Sequence, residues 1–136
     1  QLIPASEILV VTTPQIAAAE VAERAGRIAH QLKQQITGVI ENMSPYIAPE
    51  TGAEIAIFGS GGGRETVARL SQLVGADIPL LAQIPFQDKV RESGDNGSSI
   101  FELDPTGLAT TAFFEVADAL ALRKRSLLGV RLGLST

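Results

Sequence analysis

The chain has 136 residues, 45% of them hydrophobic and 19% charged, a composition that supports one packed domain and excludes wholesale disorder. Eleven Lys and Arg against fifteen Asp and Glu give a net charge of −4, which disfavours a nucleic-acid partner held by phosphate neutralisation. With no cysteine and one histidine, His30, these residues hold no disulfide, thiolate metal site, cysteine nucleophile or histidine-rich metal site.

Ile8-Leu9-Val10-Val11 is a β-branched apolar run of the kind buried in a parallel sheet. Thr13 and Pro14 suit the cap and first turn of a helix from about Pro14 to Lys33. Its expected apolar stripe is Val21, Ala25, Ile28 and Leu32, with Glu20–Arg24 and Glu23–Arg27 pairing outside. Ile36-Thr37-Gly38-Val39-Ile40 reads as a second buried strand that runs into Glu41-Asn42-Met43-Ser44. After a loop with Pro45, Pro49 and Gly52, Ile55 to Phe58 is a short extended piece and Gly59 to Gly63 a flexible turn. A helix from about Arg64 to Val74 carries Val67, Leu70 and Val74 on one side, and Pro79 to Ile84 is a third strand halted by Pro85. A short helix near Asp88–Ser93 breaks at Gly94-Asp95-Asn96-Gly97. Asp104-Pro105 opens a last helix to about Arg123, with a stripe of Phe113, Val116, Ala117 and Leu120 and a basic, solvated end at Arg123-Lys124-Arg125.

Strands alternating with helices imply an α/β fold, a parallel sheet flanked by helices. Three strands are fewer than the roughly five or six of an average sheet, so the sheet is expected to be part of a larger one or of an assembly. No apolar stretch approaches the ~20 residues of a membrane span and no signal peptide is visible. The expectation is a soluble cytoplasmic protein with no membrane or nucleic-acid partner.

Ligands of open α/β sheets gather beyond the carboxyl ends of the strands. Three loops qualify: Thr12-Thr13-Pro14, Asn42-Met43-Ser44 and Pro85-Phe86-Gln87-Asp88. The Asn42 amide offers an acceptor and two donors, a match to an adenine edge, and Pro85 and Phe86 offer a flat apolar wall to a base. The alternative is that Asn42 only makes a turn. The Gly59–Gly63 run is either a flexible turn and close packing contact or an anion cradle. No G-x-x-x-x-G-K-[ST] loop exists, since Lys33, Lys89 and Lys124 are followed by Gln34, Val90 and Arg125. Ser60 and Ser93 lie outside any G-x-S-x-G elbow, so a triad with His30 is discounted and His30 is expected at the surface. Arg91-Glu92-Ser93-Gly94-Asp95 reads as a short helix with an internal ion pair, or as a partner contact.

The motifs gain specificity together. Val10-Val11-Thr12-Thr13-Pro14-Gln15, Gly38-Val39-Ile40-Glu41-Asn42-Met43-Ser44, Ile57-Phe58-Gly59-Ser60-Gly61-Gly62-Gly63, Gln83-Ile84-Pro85 and Val90-Arg91-Glu92-Ser93-Gly94-Asp95 occur in that order. The sequence resembles the C-terminal half of the Mrp family of MinD/ParA-like deviant P-loop ATPases, which act as iron–sulfur cluster carriers. The resemblance implies a partial P-loop NTPase-like, three-layer fold over residues 1–125, with 126–136 a flexible tail. It implies ATP, with magnesium, as the cofactor of the complete protein, read by Asn42 and flanked by Pro85 and Phe86. It also implies a homodimer, iron–sulfur acceptor proteins as partners, and a Walker A segment outside this chain. ATP hydrolysis by the chain alone is therefore not expected, and no catalytic or metal-binding residue is assigned. The family's C-P-x-C pair is replaced: Ala48 and Thr51 stand where the cysteines would be, so a bridging cluster is not expected to form in the family's way. The alternative reading is an ATP-dependent, MinD/ParA-like positioning module that carries no cluster.

Overall fold

A computed structural model describes residues 6–128, with side chains through residue 123. Its strands are β1 (Glu7–Thr12), β2 (Gln35–Ser44), β3 (Tyr46–Ile47), β4 (Glu54–Ile55) and β5 (Leu80–Pro85). Its helices are α1 (Ile16–Gln31), α2 (Gly62–Val74), α3 (Asp88–Asn96), α4 (Ile100–Leu103) and α5 (Leu108–Leu128). β1, β2 and β5 form a parallel sheet with β2 in the centre, and β3 and β4 an antiparallel hairpin.

Alternation along the strands divides the interior into two layers. Val10, Ile36 and Val39 meet Ala22 and Ala29 of α1, Leu70 of α2 and Ile78 on one face. Ile40, Ala82 and Ile84 meet Ala109, Ala112 and Val116 of α5 on the other. The parallel α/β sandwich anticipated from the strand–helix alternation is therefore the fold. Among the described residues no helix is long and apolar enough to cross a membrane.

Several details differ from the sequence reading. α1 begins at Ile16, and its N-cap Gln15 makes no side-chain cap bond. Thr13 and Pro14 instead belong to a loop whose Pro14 carbonyl accepts from Gly62 N–H at 2.9 Å. The stripe Val21, Ala25, Ile28, Leu32 faces outward, and α1 buries Ala19, Ala22, Gly26 and Ala29. Small residues allow close approach: a Cβ at Gly26 would lie 2.2 Å from Leu70 Cδ2. Glu23 pairs with Arg27 as expected, and also with Arg69 of α2, whereas Glu20–Arg24 is not among the ion pairs of the described residues. The Arg27 hydrogen bond, followed by that from Arg69, holds the Glu23 carboxyl below its ordinary value despite some desolvation. Arg69 is raised in turn by Glu65 and Glu23.

β2 continues to Ser44, so Asn42-Met43-Ser44, expected as a loop after the strand, is its last three residues. Ile55–Phe58 is not one extended piece, because only Glu54 and Ile55 pair, in β4. α3 runs past Gly94 to Asn96, stopped by Gly97 at φ 64°. Ala117 of α5 is exposed rather than packed. Arg123 is no solvated helix end, since its Nη1 donates to the Thr37 carbonyl at 3.2 Å, where β1 and β2 shift register between Ile8 and Leu9. α5 is described to Leu128, three residues into the expected tail; residues 129–136 lie outside the described residues.

Candidate functional site

β2 and β5 end side by side because Ser44 pairs with Pro85 in the sheet register. The Phe86 N–H donates to the Ser44 carbonyl at 2.9 Å, joining the two ends. Asn42, Met43, Pro85, Phe86, Gln87, Val90 and Arg91 consequently line one cavity of about 240 Å³ at the carboxyl ends of the strands. The fold thus gathers the three residues singled out from sequence, Asn42, Pro85 and Phe86, into a single cavity wall. Phe86 also packs edge-on against Phe58, ring centroids 5.4 Å apart. Gln87 Oε1 also accepts from Ala109 N–H at 3.2 Å, at the start of α5. Arg91 pairs with Asp95 at 2.7 Å, the internal helix pair anticipated for that segment.

The Asn42 amide is partly committed. Its Oδ1 accepts from Met43 N–H at 2.9 Å, so the turn-making role suggested for asparagine is present. Among the described residues Nδ2 forms no hydrogen bond. One lone pair of Oδ1 and both Nδ2 hydrogens remain, enough for a donor–acceptor pair on a ligand edge. Met43 has φ 57°, a left-handed conformation that costs a non-glycine residue ~1–2 kcal/mol.

Glu41, which sequence reasoning placed in a motif but gave no role, is 1% exposed. Its Oε2 accepts from Gly63 N–H at 2.6 Å, and its Oε1 accepts from Ser44 Oγ at 2.7 Å and Gln83 Nε2 at 2.8 Å. A buried carboxylate needs such donors to offset its desolvation. The one available signal was an acid closing an otherwise apolar strand.

The Gly run is a packing device. A Cβ at Gly62 would stand 2.2 Å from the Thr13 carbonyl oxygen, and one at Gly63 2.7 Å from Glu41 Oε2. Because the Gly62 and Gly63 amides already donate to Pro14 and Glu41, the anion-cradle alternative loses two of its donors. What the strand ends offer a ligand is the Asn42 amide beside the apolar Pro85–Phe86 wall.

The β3–β4 hairpin presents Ala48 to Gly52 at its tip, closed by Gly52 N–H donating to the Ala48 carbonyl at 2.7 Å. Ala48 and Thr51 supply no thiolate there, so the tip does not fit an iron–sulfur cluster. Thr51 Oγ1 accepts from Ala53 N–H at 3.2 Å on the exposed tip. His30 is exposed, and Ser93 Oγ donates to the Val90 carbonyl within α3, an arrangement with no nucleophile–base pair.

An iron–sulfur cluster carrier protein of Mycobacterium tuberculosis is 51% identical over 134 residues, 98% of this chain and 35% of that protein. The chain thus spans about a third of the length of the curated relatives it matches. The cell division ATPase MinD of Pyrococcus furiosus shares the fold at TM-score 0.59 and 20% identity, over 86% of this chain and 43% of that one. A nucleotide-binding protein in complex with ADP from Archaeoglobus fulgidus matches at 30% identity and TM-score 0.51, over 65% of this chain and 34% of that one. Residues 1–121 match the family described as ParA, NUBPL iron-transfer P-loop NTPase. With that match spanning residues 1–121 and the parallel, helix-flanked sheet in agreement, the chain belongs to the NUBPL iron-transfer P-loop NTPase family.

Proposed function

We propose that this chain forms the base-facing side of the nucleotide site in a cytoplasmic ATP-binding carrier of iron–sulfur clusters. The observation that carries the reading is the convergence of Asn42, Pro85 and Phe86 on one cavity at the carboxyl ends of β2 and β5. Asn42 accepts from the adenine amino group and donates to a neighbouring ring nitrogen, while Pro85 and Phe86 flank the ring. The triphosphate and its magnesium are held by residues outside this chain, which has no lysine-bearing phosphate loop. The protein works as a homodimer that passes a cluster, as cargo, to acceptor proteins; with no cysteine in this chain, the ligands of that cluster come from residues outside it. The relative from Archaeoglobus fulgidus, described in complex with ADP, supports the nucleotide part, and the Mycobacterium tuberculosis carrier supports the cargo.

A second reading is favoured by Ala48 and Thr51 at the hairpin tip: an ATP-dependent positioning module without a cluster. Two measurements on the full-length protein separate the possibilities. Asn42→Ala should weaken ATP binding by ~1–3 kcal/mol, the cost of an unmet polar edge, read by titration calorimetry. Unchanged affinity would remove Asn42 from the site. Reconstitution with iron and sulfide should give a stoichiometric cluster absorbance; its absence would favour the positioning module.

A further inference from the structure

Glu41 accepts at once from α2, from β5 and from the end of its own strand, and the two strands carry Asn42, Pro85 and Phe86 into the base-facing cavity. Gly63 lies in the first turn of α2, Gln83 lies in β5 two residues before Pro85, and Ser44 closes β2 two residues after Asn42. The Ser44 carbonyl in turn takes the Phe86 N–H. The carboxylate is therefore the shared anchor of both walls: β2, which presents Asn42, and β5, which presents Pro85 and Phe86. The Phe58–Gly63 segment touches the same frame at both of its ends, through the Phe58–Phe86 ring contact and through Gly63 on Glu41. Strand alternation turns Glu41 toward α2 and Asn42 to the opposite face, so Glu41 does not itself meet the base.

We infer that Glu41 is a positioning residue for base recognition, fixing the Asn42 amide against the Pro85–Phe86 wall. The inference rests on the reading of Asn42 as the base-contacting group. Discrimination by a hydrogen-bonding edge depends on geometry held to a fraction of an ångström. Loss of the anchor thus lowers selectivity between bases, not only stability.

The test compares ATP with inosine triphosphate, which carries a carbonyl where adenine carries its amino group, on the full-length protein. Both affinities are measured by calorimetry beside a melting curve. Asn42→Ala should cut the preference for ATP by roughly tenfold. Glu41→Ala should cut it by a similar factor, with little further loss in the double variant. Glu41→Gln should restore most of it, because a carboxamide keeps the Gly63 link and the Gln83 amide can turn to meet it. Leu70→Ala, which disturbs the core beneath α2 without touching the anchor, should lower the melting temperature and keep the preference. Where Glu41→Ala does not fold, Ser44→Ala with Gln83→Met removes two of the donors and carries the same readout. Preference lost in Asn42→Ala but kept in the Glu41 or donor variants would overturn the inference and leave the base reading intact. Preference lost equally in Leu70→Ala would reduce Glu41 to a structural role. Preference kept in Asn42→Ala would overturn the base reading and the inference with it.

Discussion

Gly62 meets backbone on the side where any other residue would carry its Cβ. That atom would lie 2.2 Å from the Thr13 carbonyl oxygen and 2.7 Å from that of Gln15. Neither can move without dragging the β1–α1 loop, which Gly62 itself ties down through Pro14. Gly62→Ala should therefore destabilise the chain by about 1–3 kcal/mol, the usual cost of overpacking, despite alanine's better helix propensity. Chemical denaturation checks this, and a variant as stable as the parent would mean that the loop has room to retreat. The glycine run was visible in the sequence, but its purpose was not. Three adjacent glycines favour a flexible turn or a close packing contact over an anion cradle, but which atoms they approach is not visible until the partner segments are placed. That Asn42, Pro85 and Phe86 lie close together was legible because strand ends in a parallel sheet share a side of the molecule. Glu41 was not, because a lone acid between apolar and polar residues carries no sign of the donors that surround it.

At the scale of elements, α1 shows how periodicity can select the wrong face. Its larger aliphatic residues, Val21, Ile28 and Leu32, are 68%, 58% and 58% exposed. The buried stripe is Ala19, Ala22, Gly26 and Ala29, whose small side chains let the helix close on the sheet and on Leu70. Both stripes have helical spacing, and hydrophobicity alone ranks the larger residues first. Contact distance decided otherwise. Ala29, at 2% exposure, has no space to grow: Ala29→Leu should cost about 1–3 kcal/mol, whereas Ile28→Ser one position earlier should stay within ~0.5 kcal/mol in this chain, as exposed substitutions do. Thermal melts of the two variants rank the faces directly. The reverse order would restore the face chosen from periodicity. The strands were easier to read, since β-branched runs bounded by Pro or Gly have few alternatives. The small β3–β4 hairpin was missed because its two-residue strands are too short for any alternation to register.

Across the whole molecule, one side of the sheet is unfinished. Val10 and Thr12 of β1 point into the layer under α1 and α2, so Leu9 and Val11 point to the opposite face. There α5 covers β5 and Ile40, no β1 residue joins that cluster among the described residues, and Val11 is left 62% exposed. β1 pairs only with β2 among the described residues, so its outer edge keeps free backbone donors and acceptors. Beside it runs a groove of about 450 Å³ bordered by β1 and by Ala18, Val21 and Ala25 of α1. A bare strand edge next to an apolar groove is a template for association. In the full-length protein, of which relatives suggest this chain is about a third, we propose that further strand and helix fill that space. The same substitution should then act in opposite senses in the two contexts. In the isolated chain, Val11→Lys should suppress concentration-dependent association, read by analytical ultracentrifugation, and leave the melting temperature nearly unchanged. In the full-length protein it should lower stability by ~1.5–3 kcal/mol, the worth of a buried aliphatic side chain, with more lost if the introduced charge stays unpaired. A neutral effect in both would show that the β1 face is solvent-facing throughout, and that the sheet ends where this chain ends it.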